Sequence, residues 1–214
     1  MSFVNNLTIR MFSYGGSGFK FLSKLLHNYI DTRFPDNIHP YISHNKPRNE
    51  FNNFDKIIFI YGDPRNAILS HIRRSDNYRK NKNGYTFGTR RFIQLSEPFE
   101  IYPIITKQEI TVHKFLLNYP DYLDFTGFFK SWLDYPFYKK DYILFLKYED
   151  IPNRINEIAE FVKLGKRFKH QLFNEFTSRR MDYLQQTKET QKLLNKNYER
   201  LLELQNSLPN FYVK

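Results

Sequence analysis

Apolar positions along the chain follow two spacings, and their alternation predicts strands and helices in turn. Three segments, Leu7 to Ser13, Lys56 to Tyr61 and Tyr142 to Tyr148, are predicted as strands. The second is an apolar run flanked by polar residues, as is typical of a strand covered on both faces. Apolar residues at helical spacing fill the segments 18–29, 64–74, 111–118, 127–135, 155–162 and 189–205. Strands that alternate with helices predict an α/β fold, a three-layer sandwich around a central, mainly parallel sheet.

The length of 214 residues fits one domain, which we predict to span residues 1–214. Hydrophobic residues make up 41% and charged residues 26%, the balance of a globular protein. The basic, Asn- and Tyr-rich segment Ser75 to Arg91 predicts a mobile loop. Trp132, Phe128 and Phe129 share a helical spacing that predicts core packing rather than a substrate platform.

The formal net charge of +11 attracts anions such as nucleotides, nucleic acid, acidic glycans or anionic lipids. The absence of Cys excludes disulfides, thiolate chemistry and Cys-based metal sites, and no His, Asp and Glu residues share a metal-ligand spacing. The basic residues are scattered and no nucleic-acid motif is present, so nucleic acid is a disfavoured partner. No signal peptide or membrane-length apolar run is found, which predicts a soluble, cytoplasmic protein.

A glycine-rich turn joins the first predicted strand to the first predicted helix. In Tyr14-Gly15-Gly16-Ser17-Gly18, glycine lets the backbone approach an anion closely, and the free N–H groups of the helix point at it. Ser17 adds a hydroxyl, and Lys20 adds a full positive charge one turn into the helix. Since Gly-Lys-Ser/Thr is missing, a magnesium-dependent NTPase is disfavoured.

Three segments together resemble the sulfotransferases that use 3′-phosphoadenosine 5′-phosphosulfate. Residues 13–21 (SYGGSGFKF) resemble the family's 5′-phosphosulfate loop, and residues 57–73 (IIFIYGDPRNAILSHIR) resemble its 3′-phosphate motif. Residues 143–151 (ILFLKYEDI) look like a strand and turn found late in the same fold. The resemblance covers roughly residues 7 to 165, in the family's order. It implies a P-loop NTPase-like sulfotransferase fold.

The resemblance also implies a donor site and a reaction. The donor 3′-phosphoadenosine 5′-phosphosulfate would pass its sulfuryl group to a hydroxyl or amine acceptor, such as a glycan, a small molecule or a protein Tyr, without a metal. Arg65 and Ser70 would hold the 3′ side. The 5′ side would be held by Gly15, Gly16, Ser17, Gly18, Phe19 and Lys20.

The chain departs from the family pattern at charged positions. The loop Lys of the family falls on Gly16, and the Arg that opens the 3′-phosphate motif falls on Gly62. We expect Lys20 to supply the first charge and Arg65 the second. The family's C-terminal glycine motif is not found, and Arg179 and Arg180 are weak substitutes for it.

Sulfuryl transfer needs a base to accept the acceptor's proton. His44 lies in the segment where the family places its His, so His44 and Lys20 are the predicted catalytic residues. Further candidate bases are His39, Glu50 and Asp55. We interpret Glu149 and Asp150 as structural residues that end a strand and cap the following helix.

Two other functions remain open from the sequence. One is a non-catalytic or degenerate nucleotide- or anion-binding protein of the same fold, which the two lost cations favour. The other is a P-loop kinase-like transferase, against which the missing Walker lysine and magnesium carboxylate argue.

Overall fold

The computed structural model describes residues 9–14, 22, 42–43, 46–47, 55–80, 111–163, 182–209 and 211–214, with the backbone alone at 42–43 and 74–80. The strands in these ranges are β1 Ile9–Phe12, β2 Ile42–Ser43, β3 Lys56–Tyr61, β4 Ile143–Lys147 and β5 Phe211–Val213. The α-helices are α1 Pro64–Lys80, α2 Val112–Asn118, α3 Phe125–Asp134, α4 Ile155–Phe161 and α5 Lys188–Ser207. Two 3₁₀ helices span Tyr148–Arg154 and Asp182–Gln185.

The strands form one sheet in the order β2-β1-β3-β4-β5. The four strands β2, β1, β3 and β4 are parallel, and β5 runs antiparallel to β4. This arrangement confirms the predicted α/β class with a mainly parallel sheet. The sequence prediction missed β5, because a run of three residues after Pro209 is too short to show a strand pattern.

Alternating residues of β3 enter two separate cores, one on each face of the sheet. Ile57, Phe59 and Tyr61 pack with residues of α1, α2, α3 and α5. Ile58 and Ile60 pack on the opposite face with residues of α4 and with the helical residue Leu22. Burial on both faces explains why the sequence of β3 is continuously apolar.

The start of α1 follows the predicted capping signals. The Asp63 carboxylate accepts a hydrogen bond from the Arg65 backbone N–H at 2.9 Å, and Pro64 is the first helical residue, as both residue types favour. The helix continues to Lys80, so the loop predicted from Ser75 is wrong over residues 75–80. Neither Gly nor Pro interrupts these residues, and a polar helix can therefore continue.

The aromatic residues of α3 form core contacts, as predicted. Phe129 and Trp132 are fully buried and Phe128 is nearly so. The Trp132 ring centroid lies 4.2 Å from that of Phe12 and 5.7 Å from that of Phe59. These contacts join α3 to the carboxyl end of β1 and to the middle of β3.

Candidate functional site

The carboxyl ends of β1 and β3 lie side by side and define a crevice. β1 connects onward to β2 on one side of the pair, whereas β3 connects onward to β4 on the other. Open parallel sheets bind ligands outside the carboxyl ends of their strands, at the point where successive connections leave in opposite directions. β1 is followed by Ser13 and Tyr14, and β3 by Gly62 and Asp63. The crevice between Tyr14 and Gly62 is therefore the candidate site.

The side chain of Tyr14 crosses this crevice. Its hydroxyl donates a hydrogen bond to the Gly62 carbonyl and accepts one from the Gly62 N–H at 3.0 Å. The side-chain amide of Gln205, from α5, donates to the Tyr14 hydroxyl at 3.1 Å and lies 3.4 Å from the Gly62 carbonyl oxygen. All three residues are buried, and burial is the main cause that raises the pKa of Tyr14 above its ordinary value. Tyr14 therefore acts as a neutral hydrogen-bonding group.

Carboxylates lie beside the same turn. A Cβ added to Gly62 would lie 3.3 Å from Glu149 Oε1, so Glu149 packs against the position where the resembling family carries Arg. Burial, followed by the charges of Asp150 and Glu149, raises the pKa of Tyr61. The helix-capping role predicted for Glu149 and Asp150 is wrong, because both lie in the first turn of the 3₁₀ helix whose N-cap is Lys147.

Arg65 is held by three partners in the structure. Its Nε donates to Asp63 Oδ1 at 2.9 Å and its Nη2 donates to Asp63 Oδ2 at 2.6 Å. Its Nη1 donates to Asn195 Oδ1 at 2.8 Å. The guanidinium carbon also lies 4.1 Å from the ring centroid of Tyr183. A phosphate would have to compete with Asp63 for this guanidinium.

Ser70 lies five residues beyond Arg65 on α1 and is half-buried. At 3.6 residues a turn, the two positions are about 140° apart around the helix and about 7.5 Å apart along it. They therefore do not share one helix face. The adjacent His71 is also half-buried, and its ring centroid lies 5.9 Å from that of Phe125.

All of the predicted 5′-side and catalytic residues lie outside the described residues. These are Gly15, Gly16, Ser17, Gly18, Phe19, Lys20 and His44, together with the alternative bases His39 and Glu50 and the substitute cations Arg179 and Arg180. The chain on either side of His44 is described. Ser43 pairs with Phe12 in the sheet, and Lys46 forms an ion pair with Asp124 at 3.1 Å.

Asp55 is exposed and directly precedes β3. It therefore lies at the end of the strand opposite to Gly62 and does not reach the crevice. This position removes Asp55 from the candidate bases.

Gln205 and Glu149 are the residues at this site that sequence reasoning missed. Gln205 had no signal, since it reaches Tyr14 from 191 positions away along the chain. Glu149 had a weak one, because a polar residue just after a buried parallel strand lies at the ligand-binding edge of a sheet.

Comparison of the chain with protein-family models, curated proteins and solved structures returned no match. Within the described ranges, three or more His, Asp or Glu side chains never come together in a group that could hold a metal ion. The helices described in full or in part include none with the length and apolarity needed to cross a bilayer.

Proposed function

We propose that this protein binds a 3′-phosphoadenosine nucleotide in the crevice between β1 and β3 and transfers a sulfuryl group from it to a hydroxyl or amine acceptor. The observation that carries the proposal is the parallel pairing of β1 and β3 with connections leaving on opposite sides. This arrangement places Tyr14 and the start of α1 at the same edge of the sheet, and the glycine-rich segment 15–18 follows Tyr14 in the sequence. Two such loops at one edge suit a ligand with two phosphate groups.

In this proposal the two loops divide the nucleotide between them. The backbone N–H groups of residues 15–20, the Ser17 hydroxyl and the Lys20 ammonium bind the 5′-phosphosulfate. Arg65 binds the 3′-phosphate, for which it exchanges Asp63 for the ligand, whereas Ser70 faces another side of α1 and takes no part in this contact. Guanidinium groups bind carboxylate and phosphate with the same paired geometry, so this exchange conserves the contacts of Arg65.

The transfer itself is a substitution at sulfur. The acceptor oxygen or nitrogen forms a bond to sulfur while the bond from sulfur to the bridging phosphate oxygen breaks. His44 accepts the acceptor's proton, and 3′-phosphoadenosine 5′-phosphate leaves with the bridging oxygen's negative charge. Lys20 stabilises that charge as it develops.

A nucleotide-binding protein without transfer activity is the second candidate. The replacement of the family's loop Lys by Gly16 and of its Arg by Gly62 favours it, because both cations would act on the transferring and bound phosphates. Glu149 beside Gly62 and Asp63 paired with Arg65 place negative charge close to the turn that would face the 3′-phosphate, and they argue against tight binding there. Binding and transfer must therefore be measured separately.

Parallel calorimetric titrations test the proposal. The ligands are 3′-phosphoadenosine 5′-phosphate, adenosine 5′-phosphate, ATP with magnesium, and a short oligonucleotide. We expect sub-millimolar binding that depends on the 3′-phosphate. Preference for ATP with magnesium would identify a kinase-like protein instead, and binding of the oligonucleotide alone would identify a nucleic-acid-binding module. A radiolabelled sulfuryl donor with an acceptor panel then separates the transferase from the second candidate.

A further inference from the structure

We propose that Tyr14 and Gln205 form a positioning bridge, which fixes the distance between the starting points of the two loops at the crevice. The bridge also couples nucleotide binding to the last turns of α5. The inference rests on the proposed function, because it assigns a role in binding the same ligand. The resemblance to sulfotransferases implies no ligand contact for either residue.

The first step is the saturation of the Tyr14 hydroxyl. A phenol offers one donor and two acceptor positions. The hydroxyl donates to the Gly62 carbonyl and accepts from the Gly62 N–H and from Gln205. Because all three positions are used, the hydroxyl has one favourable geometry, and the distance between the carboxyl ends of β1 and β3 is fixed with it.

The second step is the position of the bridge relative to the two loops. Tyr14 is the residue before Gly15, where the glycine run begins, and Gly62 is the residue before Asp63, which caps α1. The bridge therefore joins the starting points of both proposed phosphate-binding loops. A small shift of either loop would misplace N–H donors whose contacts with an anion depend on tenths of an ångström.

The third step is the connection to α5. Gln205 is 5% exposed and lies near the end of the helix, whose residue Leu201 is buried in the core one turn earlier. Its amide contacts both Tyr14 and Gly62. When a ligand binds at the crevice, the same contacts restrain this end of α5, since the buried amide would otherwise lose its partners.

The aromatic stack around Tyr14 supplies a matched control. The ring of Tyr14 stacks on that of Phe125, with 4.8 Å between the ring centroids. The ring of Tyr198 also stacks on Phe125, with 6.0 Å between the centroids. The Tyr198 hydroxyl is buried and has no hydrogen-bond partner among the described residues. Tyr14→Phe and Tyr198→Phe thus make the same chemical change in one stack, but only the first removes the bridge.

The experiment compares wild type, Tyr14→Phe, Gln205→Met and Tyr198→Phe at a temperature where each is folded. Calorimetry gives the dissociation constant for 3′-phosphoadenosine 5′-phosphate, and amide hydrogen exchange follows Gly62 and residues 201–205 with and without ligand. We expect Tyr14→Phe and Gln205→Met to weaken binding about tenfold and Tyr198→Phe to leave it within about twofold. Ligand should slow exchange at residues 201–205 in wild type and Tyr198→Phe, but not in Tyr14→Phe.

The outcomes separate the bridge from the proposed function. The bridge is overturned, and the proposed function still stands, if Tyr14→Phe binds the nucleotide as tightly as wild type does and ligand slows amide exchange at residues 201–205 equally in both. Wild type that binds no nucleotide overturns both. A Gly62 amide that exchanges no faster in Tyr14→Phe shows that the contact itself is absent. Should Tyr14→Phe not fold, Gln205→Met decides, since it removes one donor and keeps the Tyr14–Gly62 contact.

Discussion

The carboxylate of Glu149 lies so close to Gly62 that a Cβ at this position would be 3.3 Å from Oε1. No left-handed backbone requires glycine here, because the φ angle of Gly62 lies outside the positive range that other residues avoid. The neighbouring side chain is therefore what favours glycine at residue 62.

This relationship predicts that Gly62→Ala changes its effect with the residue at position 149. In wild type we expect a loss of about 1 kcal/mol, because moving Glu149 costs more than Ala gains by lowering the entropy of the unfolded chain. In a Glu149→Ala background the same substitution should be neutral or stabilising. Urea denaturation of the four proteins in a double-mutant cycle measures the coupling. Equal effects in both backgrounds would show that Glu149 does not restrict residue 62.

Arg65→Lys should affect both stability and selectivity. Lysine cannot reproduce the paired contact with Asp63 or the contact with Asn195, so we expect a loss of about 1 kcal/mol in unfolding free energy. If Arg65 exchanges Asp63 for the 3′-phosphate, the ratio of affinities for 3′-phosphoadenosine 5′-phosphate and adenosine 5′-phosphate should fall about tenfold. Arg73→Lys, which alters the ion pair with Asp182, is the control. An unchanged ratio removes Arg65 from the nucleotide site.

Lys20→Ala should weaken binding of the bisphosphate about tenfold, since the proposal gives Lys20 the charge that the family's loop lysine supplies. Lys24→Ala, one helical turn further in the predicted first helix, is the control and should change binding less than about twofold. Calorimetry at two salt concentrations measures both variants. Binding by Lys20→Ala that equals wild type would rule out this residue as a phosphate contact.

His44→Ala should separate transfer from binding. We expect the transfer rate to fall about 100-fold while the affinity for 3′-phosphoadenosine 5′-phosphate is retained, because a base acts on the acceptor and not on the donor. The control is His113→Ala, on α2, where the His ring contacts Thr190. Full transfer activity in His44→Ala contradicts the assignment of the base.

Asp121 provides a test that depends on pH. Its carboxylate accepts hydrogen bonds from the Phe125 and Thr126 N–H groups at 2.9 and 3.0 Å, but desolvation by burial is the larger influence and raises its pKa above the ordinary 3.8. The folded protein therefore holds this proton more tightly than the unfolded chain. Stability from this group is fully present below the unfolded pKa and is lost as the pH rises through the folded pKa.

The corresponding comparison is wild type with Asp121→Asn. The unfolding free energy of wild type should increase relative to the variant as the pH falls from about 7 to about 4. Urea denaturation at several pH values measures the difference. A difference that stays constant, or shrinks, would contradict the direction of the pKa shift.

The sequence by itself determined the elements whose signals are local. Each of these signals is contained in a short segment of sequence. Periodicity identifies the apolar run of β3, and capping chemistry identifies Asp63 and Pro64 at the start of α1. The same reasoning placed Phe129 and Trp132 in the core. It failed over residues 75–80 of α1, where neither Gly nor Pro ends the helix, and at β5, whose three residues carry no periodic pattern.

Only the tertiary structure decided which residues meet at the crevice. Tyr14 reaches Gly62 across 48 positions and Gln205 across 191, and Arg65 reaches Asn195 across 130. The strand order brings Tyr14 to Gly62, and the packing of α5 brings Gln205 to Tyr14 and Asn195 to Arg65. Local propensity encodes neither. Long-range contacts depend on how whole faces pack, which is why the pairing of Arg65 and the bridge at Tyr14 had no counterpart in the sequence.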